Sequence, residues 1–310
     1  MSKDLEYIKK TAASIRYRVL DHTVKNNGGY LSQACSSAEI LATLYLKIMN
    51  LGSVPYPLKP SSFPGVPGPD NSQYFTGAIY NGPGDRDLDR FFLSPSQYSL
   101  VLYATLIETG RMSPGGLEHF NKDGSVVEMI GAEHSPGMEV MSGSLGQGIS
   151  QAAGIALARK LHGEKGRNFI FMSDGEFQIG QVWESLQTMA FYKLDNIIIY
   201  VDVNGFQCDG KMTSVMNIEP LEQRLEAFGM KVCRIDGHNI EELSSCPEIN
   251  HKEKPLVILC NTCPYKDIPL LKARYPKFHY LRFNSEGERN EYRDVLMEMQ
   301  SEGRDTVSSE

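Results

Sequence analysis

Four short, unbroken apolar runs limit what this chain can fold into: FIFMS at 169–173, NIIIYVD at 196–202, KVCRI at 231–235 and LVILC at 256–260. Each is too short for a helix and apolar on both faces, and segments with helical periodicity lie between them. A strand that is apolar all round must be covered on two sides. Strands alternating with helices therefore predict an α/β fold, a doubly wound, mainly parallel sheet with helices on both faces. Around this centre, residues 4–25 place Leu5, Ile8, Ala12, Ile15 and Val19 at helical spacing. A second helix is expected to start at Ser36, with Glu39 completing a capping box. DRFFLS leads as a strand into a helix from Ser96 to about Gly110, and the small-residue stretch GSLGQGISQAAGIALARKLHG reads as a further helix ending at Gly163.

The 310 residues suit one domain over 1–290, interrupted by a proline- and glycine-rich loop at 52–84 and followed by a polar, flexible tail at 291–310. A net charge of −7 and a pI near 5.6 argue against a nucleic-acid footprint. No apolar run is long enough for a membrane span and the first residues are charged, so the chain is read as cytoplasmic, with its six scattered cysteines reduced. Cys260 and Cys263 have CxxC spacing but no second pair for zinc, and Pro264 stands where a redox helix would begin.

Two of the apolar runs end in chemistry. Asp174 follows the first and Asn204, with Gly205, follows the second. In an open parallel sheet, ligands gather outside the carboxyl ends of the strands. A carboxylate from Asp174, an amide oxygen from Asn204 and the backbone carbonyl of Phe206 would suit Mg²⁺ or Ca²⁺. Gly175 lets a ligand approach the backbone, and the helix beginning near Gly180 would turn free N–H groups towards a phosphate. The set describes a metal-bridged diphosphate clamp. Taken singly, Asp174 would more often be a helix cap and Asn204-Gly205 a plain turn; together, at this spacing, they favour the site.

A further set of residues resembles a known family. Ser173-Asp174-Gly175, a spacer of 27 residues and Asn204 are similar to the thiamine diphosphate motif in its transketolase version. SSAEILATLY, DRDLDRFFLS, PGMEVMSGSLGQGIS, RLEAFGMKVCRIDGHN and PKFHYLRF resemble further blocks of that family in the same order. The resemblance implies thiamine diphosphate with Mg²⁺ or Ca²⁺ held by Asp174, Asn204 and Phe206, with Gly175 and Glu176 along the diphosphate. It places Gly143, Ser144 and Leu145 beside the aminopyrimidine, and His279 near the diphosphate and the reacting carbon. A transketolase is about twice as long, so the resemblance implies the diphosphate-binding subunit of a split enzyme. The cofactor would then be completed by a pyrimidine-domain partner, in an α2β2 heterotetramer that transfers a two-carbon unit to an aldehyde or ketone acceptor.

The pattern departs from the family on the substrate side. Aligned through SAEIL, the histidine of a GHxGG block becomes Tyr30 in GGYLSQ; that of LSxGH becomes Gln97; a third becomes Met129. His279, Gln97 and Tyr30 are thus the candidate catalytic side chains, with His134 close enough in sequence to stand in for the third histidine. Ser173 replaces a motif glycine, Ile179 a glutamate common in split members, and Glu184 is kept. Losing several donors points to a non-standard donor or acceptor, such as a 2-oxo acid or a modified sugar. The alternatives are a catalytically silent scaffold subunit, or the α subunit of a 2-oxo acid decarboxylating enzyme.

Overall fold

The computed structural model describes residues 3–66 and 68–305. Helices α1 (Lys3–Lys25) and α2 (Leu31–Thr43) precede the proline- and glycine-rich segment, which leads to strand β1 (Arg90–Leu93) and helix α3 (Ser99–Glu108). There follow α4 (Gly148–Leu161), β2 (Asn168–Ser173), α5 (Gly180–Phe191), β3 (Ile197–Val203) and a small hairpin of β4 (Phe206–Gln207) and β5 (Gly210–Lys211). The chain continues through α6 (Met212–Val215), α7 (Leu221–Ala227), β6 (Lys231–Asp236), α8 (Ile240–Ser245), β7 (Leu256–Asn261) and α9 (Glu286–Asp305).

Five strands form one parallel sheet in the order β1-β2-β3-β7-β6. Period-two alternation divides its side chains. Phe169, Phe171, Ile198 and Tyr200 join the layer that holds α1, α2 and α3, whereas Ile170, Met172, Ile199 and Val201 join the layer of α4 and α5. This is the doubly wound α/β fold that the unbroken apolar runs require. Strand order advances from β1 to β3 and then reverses, since β6 lies outside β7. The ends of β2, β3 and β7 are brought level there, with Ser173 opposite Asp202 and Asp202 opposite Cys260. A reversal of this kind opens a crevice at the carboxyl ends.

Two expectations are corrected. Helix α2 begins at Leu31, five residues before the expected cap, and the Ser36 hydroxyl is spent on the Asp202 carboxylate, 2.5 Å away. The polar tail is also not a tail up to residue 305: α9 buries Tyr292 and packs Val295, Leu296 and Met299 against the core. Residues 306–310 lie outside the described residues. Segment 52–84 is laid over 111–137 by main-chain bonds, among them Leu58 N–H to Arg111 O at 3.0 Å and Gly77 N–H to Glu133 O at 2.7 Å. Among the described residues no helix is long and apolar enough to cross a membrane, and all six cysteines are free thiols.

Candidate functional site

At the strand-order reversal lies a cavity of about 160 Å³. It brings together Asp174, Gly175, Asn204, Phe206, Leu145, Gln97 and His279, which come from separate parts of the chain. Asp174 ends the run of β2 and starts a short 3-10 turn, Asp174–Gln178. Its carboxylate is 2% exposed and accepts the Gly205 N–H at 2.9 Å, which fastens the end of β2 to the turn after β3. Gly205 has φ +76°, a conformation that glycine adopts without strain. Asn204 Oδ1 accepts the Phe206 N–H at 2.9 Å, while its amide nitrogen faces Tyr98 Oη at 3.3 Å and Asp202 Oδ2 at 3.4 Å. These partners fix which way the amide points.

Beneath Asn204 is a group the sequence reading passed over. Asp202 is fully buried and accepts hydrogen bonds from Ser36, from Tyr98 at 2.7 Å and from Thr262. Three separated stretches (α2, the turn before α3 and the residue after β7) are tied to one carboxylate at the end of β3. A charged residue inside the otherwise apolar NIIIYVD was the available signal. Burial raises the pKa of Asp202, only partly offset by its donors. Burial, followed by repulsion from Asp202, pushes Asp174 up to about 8, with the Gly205 N–H acting the other way. Among the described residues no lysine or arginine lines the cavity. Two adjacent buried carboxyl groups thus lack a cationic side chain, the setting in which a bound cation would restore the charged form. Asp174, Asn204 and Phe206, the three expected metal ligands, all line the cavity, together with other oxygen-bearing residues such as Ser173, Tyr98 and Gln178. Nor, among the described residues, is any group of three or more His, Cys, Asp or Glu arranged to hold a metal.

Gly175 borders the cavity in open space: an added Cβ would find Gln207 Cβ no nearer than 3.9 Å. Glu176, expected along the diphosphate, is placed elsewhere. Its side chain is fully buried, accepting the Ser173 N–H at 3.0 Å on one oxygen, and the Ser94 hydroxyl at 2.5 Å and the Gly146 N–H at 2.9 Å on the other. The carboxylate is a brace that holds the GSLGQG loop, and so Leu145, against the end of β2. Gly143 and Ser144 lie outside the lining. A Cβ at Gly143 would come within 2.6 Å of the Ile130 side chain, which would have to shift. Helix α5, expected to present its N-terminus, starts at Gly180, and the lining comes instead from Ser173, Asp174, Gly175 and Gln178.

Gln97 and His279 line the cavity; Tyr30 does not, but sets its ring edge-on to His279 at 5.4 Å and to Tyr280 at 4.9 Å. Burial lowers the pKa of His279, which favours the neutral imidazole. His134 does not reach the site. It is buried against Phe63 at 4.8 Å, with Nε2 3.4 Å from Glu128 Oε2. Met129 offers its carbonyl to Ser99 at 2.7 Å, Ile179 packs beside Gly146, and Glu184 lines a separate cleft between α4 and α5.

Comparison with known proteins gives the family and the fold. The family profile described as transketolase, thiamine diphosphate binding domain, matches residues 78–273. A transketolase family protein of Sinorhizobium fredii is 35% identical over 280 residues, covering 89% of this chain and 90% of its own. A 6-deoxy-6-sulfo-D-fructose transketolase subunit of a Clostridium species is 28% identical, covering 98% of this chain and 100% of its own. An apulose-4-phosphate transketolase subunit of Actinobacillus succinogenes is 28% identical over 88% of this chain and 90% of its own. Among solved structures, transketolase from Leishmania mexicana superposes with a TM-score of 0.67 at 21% identity, over 96% of this chain and 45% of that one. At such identity the likeness speaks for the fold alone.

Proposed function

The chain belongs to the transketolase family, and from that premise we propose that it is the diphosphate-binding subunit of a two-component, thiamine diphosphate-dependent transferase. The observation that carries the proposal is the convergence of Asp174, Gly175, Asn204 and His279 on one cavity at the strand-order reversal. The subunit reading is supported by two relatives that this chain matches over 90% or more of their length and whose names call them transketolase subunits. The chain also spans less than half of the solved transketolases.

Asp174, Asn204 and the Phe206 carbonyl would hold a divalent cation, Mg²⁺ or Ca²⁺, by their hard oxygens. The fit is supported by the buried Asp174 carboxyl, which no cationic side chain neutralises. Thiamine diphosphate, when bound, supplies the electron sink that carbon–carbon cleavage needs. The chain's own work is to seat the diphosphate, exclude water and orient the donor. Gln97 would hydrogen bond a donor oxygen, and the neutral His279 imidazole would accept or donate a proton at one. The aminopyrimidine end would be closed by a pyrimidine-domain partner in an α2β2 assembly. Gln97 and Tyr30, in place of two family histidines, support a non-standard donor or acceptor, a reading also favoured by the sulfosugar and apulose phosphate in the relatives' names.

The test is a transfer assay with this chain and its partner subunit mixed in equal amounts. Turnover of a modified ketose or 2-oxo acid well above that of xylulose 5-phosphate is expected. Ordinary enzymatic rates on xylulose 5-phosphate would refute the unusual donor, and no transfer from any donor would refute the transferase reading.

A further inference from the structure

The segment that carries His279 is sewn to the start of α2 by residues that the thiamine diphosphate motif does not include. Main-chain bonds join Gly29 and Leu281 in both directions, at 2.9 and 3.0 Å. Two side chains continue the seam towards the cavity. The Ser32 hydroxyl donates to the Phe278 carbonyl at 2.8 Å, and the Gln33 amide nitrogen donates to the His279 carbonyl at 3.2 Å. Ser32 Oγ also lies 3.0 Å from Gln33 Oε1, and the Gln33 backbone carbonyl accepts from Ser37 at 2.6 Å. Both residues are 4% exposed and both border the cavity.

A buried serine and glutamine carry a desolvation cost that only specific partners repay. Their partners here are the carbonyls of the two peptides that flank the His279 side chain, those of Phe278 and His279. We propose that Ser32 and Gln33 are positioning residues: together they latch the 278–279 backbone to α2 and so hold the His279 imidazole at the cavity wall. The Tyr30 ring, edge-on to His279, closes the other side of the imidazole. The role given to His279 rests on the proposed function; the latch itself rests on the hydrogen bonds.

The experiment uses the full-length chain, with thiamine diphosphate and Mg²⁺ as the probe. Gln33→Met keeps the volume and removes the donor, Ser32→Ala removes the hydroxyl, and Ser32→Thr retains it. The His279 ring is followed by heteronuclear NMR, its signal assigned with His279→Gln, and cofactor affinity is measured by calorimetry. In Gln33→Met and Ser32→Ala the His279 signal is expected to move towards that of a free histidine. Affinity should fall by about two- to tenfold, the size of one lost hydrogen bond, and Ser32→Thr should restore both. Circular dichroism separates this from unfolding; should Gln33→Met fail to fold, Ser32→Ala against Ser32→Thr decides alone. An unchanged His279 signal in folded Ser32→Ala and Gln33→Met overturns the latch, even if the wild type binds the cofactor. Wild-type chain that binds no thiamine diphosphate when the partner is present overturns the proposed function instead, and the His279 signal still decides the latch.

Discussion

At the scale of single residues, buried charge separates groups that hold the fold from groups that await a ligand. Glu39 belongs to the first kind. Its carboxylate pairs with the buried Arg16 and accepts from His238 Nδ1 at 3.0 Å, while His238 Nε2 accepts the Cys263 N–H at 2.9 Å. Burial works against its charge, but the His238 hydrogen bond and the Arg16 guanidinium outweigh it and hold the pKa at about 2, below the usual 4.5. A depressed carboxylate stabilises the fold in full above its unfolded value and loses that contribution as pH falls through the folded one. Urea melts taken from pH 7 down to pH 2 should show this loss, and Glu39→Gln should flatten the acid limb and cost about 3 kcal/mol at neutral pH. Asp174, with no lysine or arginine among the described residues lining its cavity, is the group proposed to be of the second kind. Its candidacy was legible because it ends an apolar run at a set spacing from Asn204, although a carboxylate there taken singly is more often a helix cap. Asp202 and Glu176 were not legible, because their meaning lies in donors supplied from distant parts of the chain. Nothing local marks Ser36, Tyr98 and Thr262 as converging on one carboxylate.

At the scale of elements, the sheet could be read because its central strands, β2, β3 and β7, are apolar and buried on both faces, which a covered parallel sheet explains. The helix starts were harder. Ser36 has the local look of a cap, yet α2 starts at Leu31 with Tyr30 before it and no side-chain cap, and it is held by packing. Helix α9 hides its apolar stripe among charges, and contact with the core, including α1, is what selects it. Thr262→Val tests the seam between β3 and β7. It removes one donor from a buried carboxylate, and a loss of about 2 kcal/mol is expected in denaturant unfolding. Segment 52–84 is pinned through Gly77, where an added Cβ would lie 1.7 Å from the Ser135 carbonyl. Gly77→Ala should cost about 2 kcal/mol or more by displacing that backbone, and increased proteolysis within 52–84 would report it.

At the scale of the whole molecule, one sheet sets three strand ends level, and the order reversal leaves the space between them open. The family resemblance could be drawn from sequence because the blocks follow one another in order. What could not be drawn was which residues meet in the cavity: Gln97 reaches it, Tyr30 stops one ring short, and His134 lies elsewhere. The proposed function requires Asp174 and Asn204 to grip a divalent cation through which thiamine diphosphate is held. Calorimetric titration of thiamine diphosphate into the chain with Mg²⁺ and the partner subunit tests it most directly. Saturable binding is expected, lost in a folded Asp174→Ala variant and on removing the cation with chelator. Equal binding by wild type and Asp174→Ala, or binding indifferent to the chelator, would contradict it.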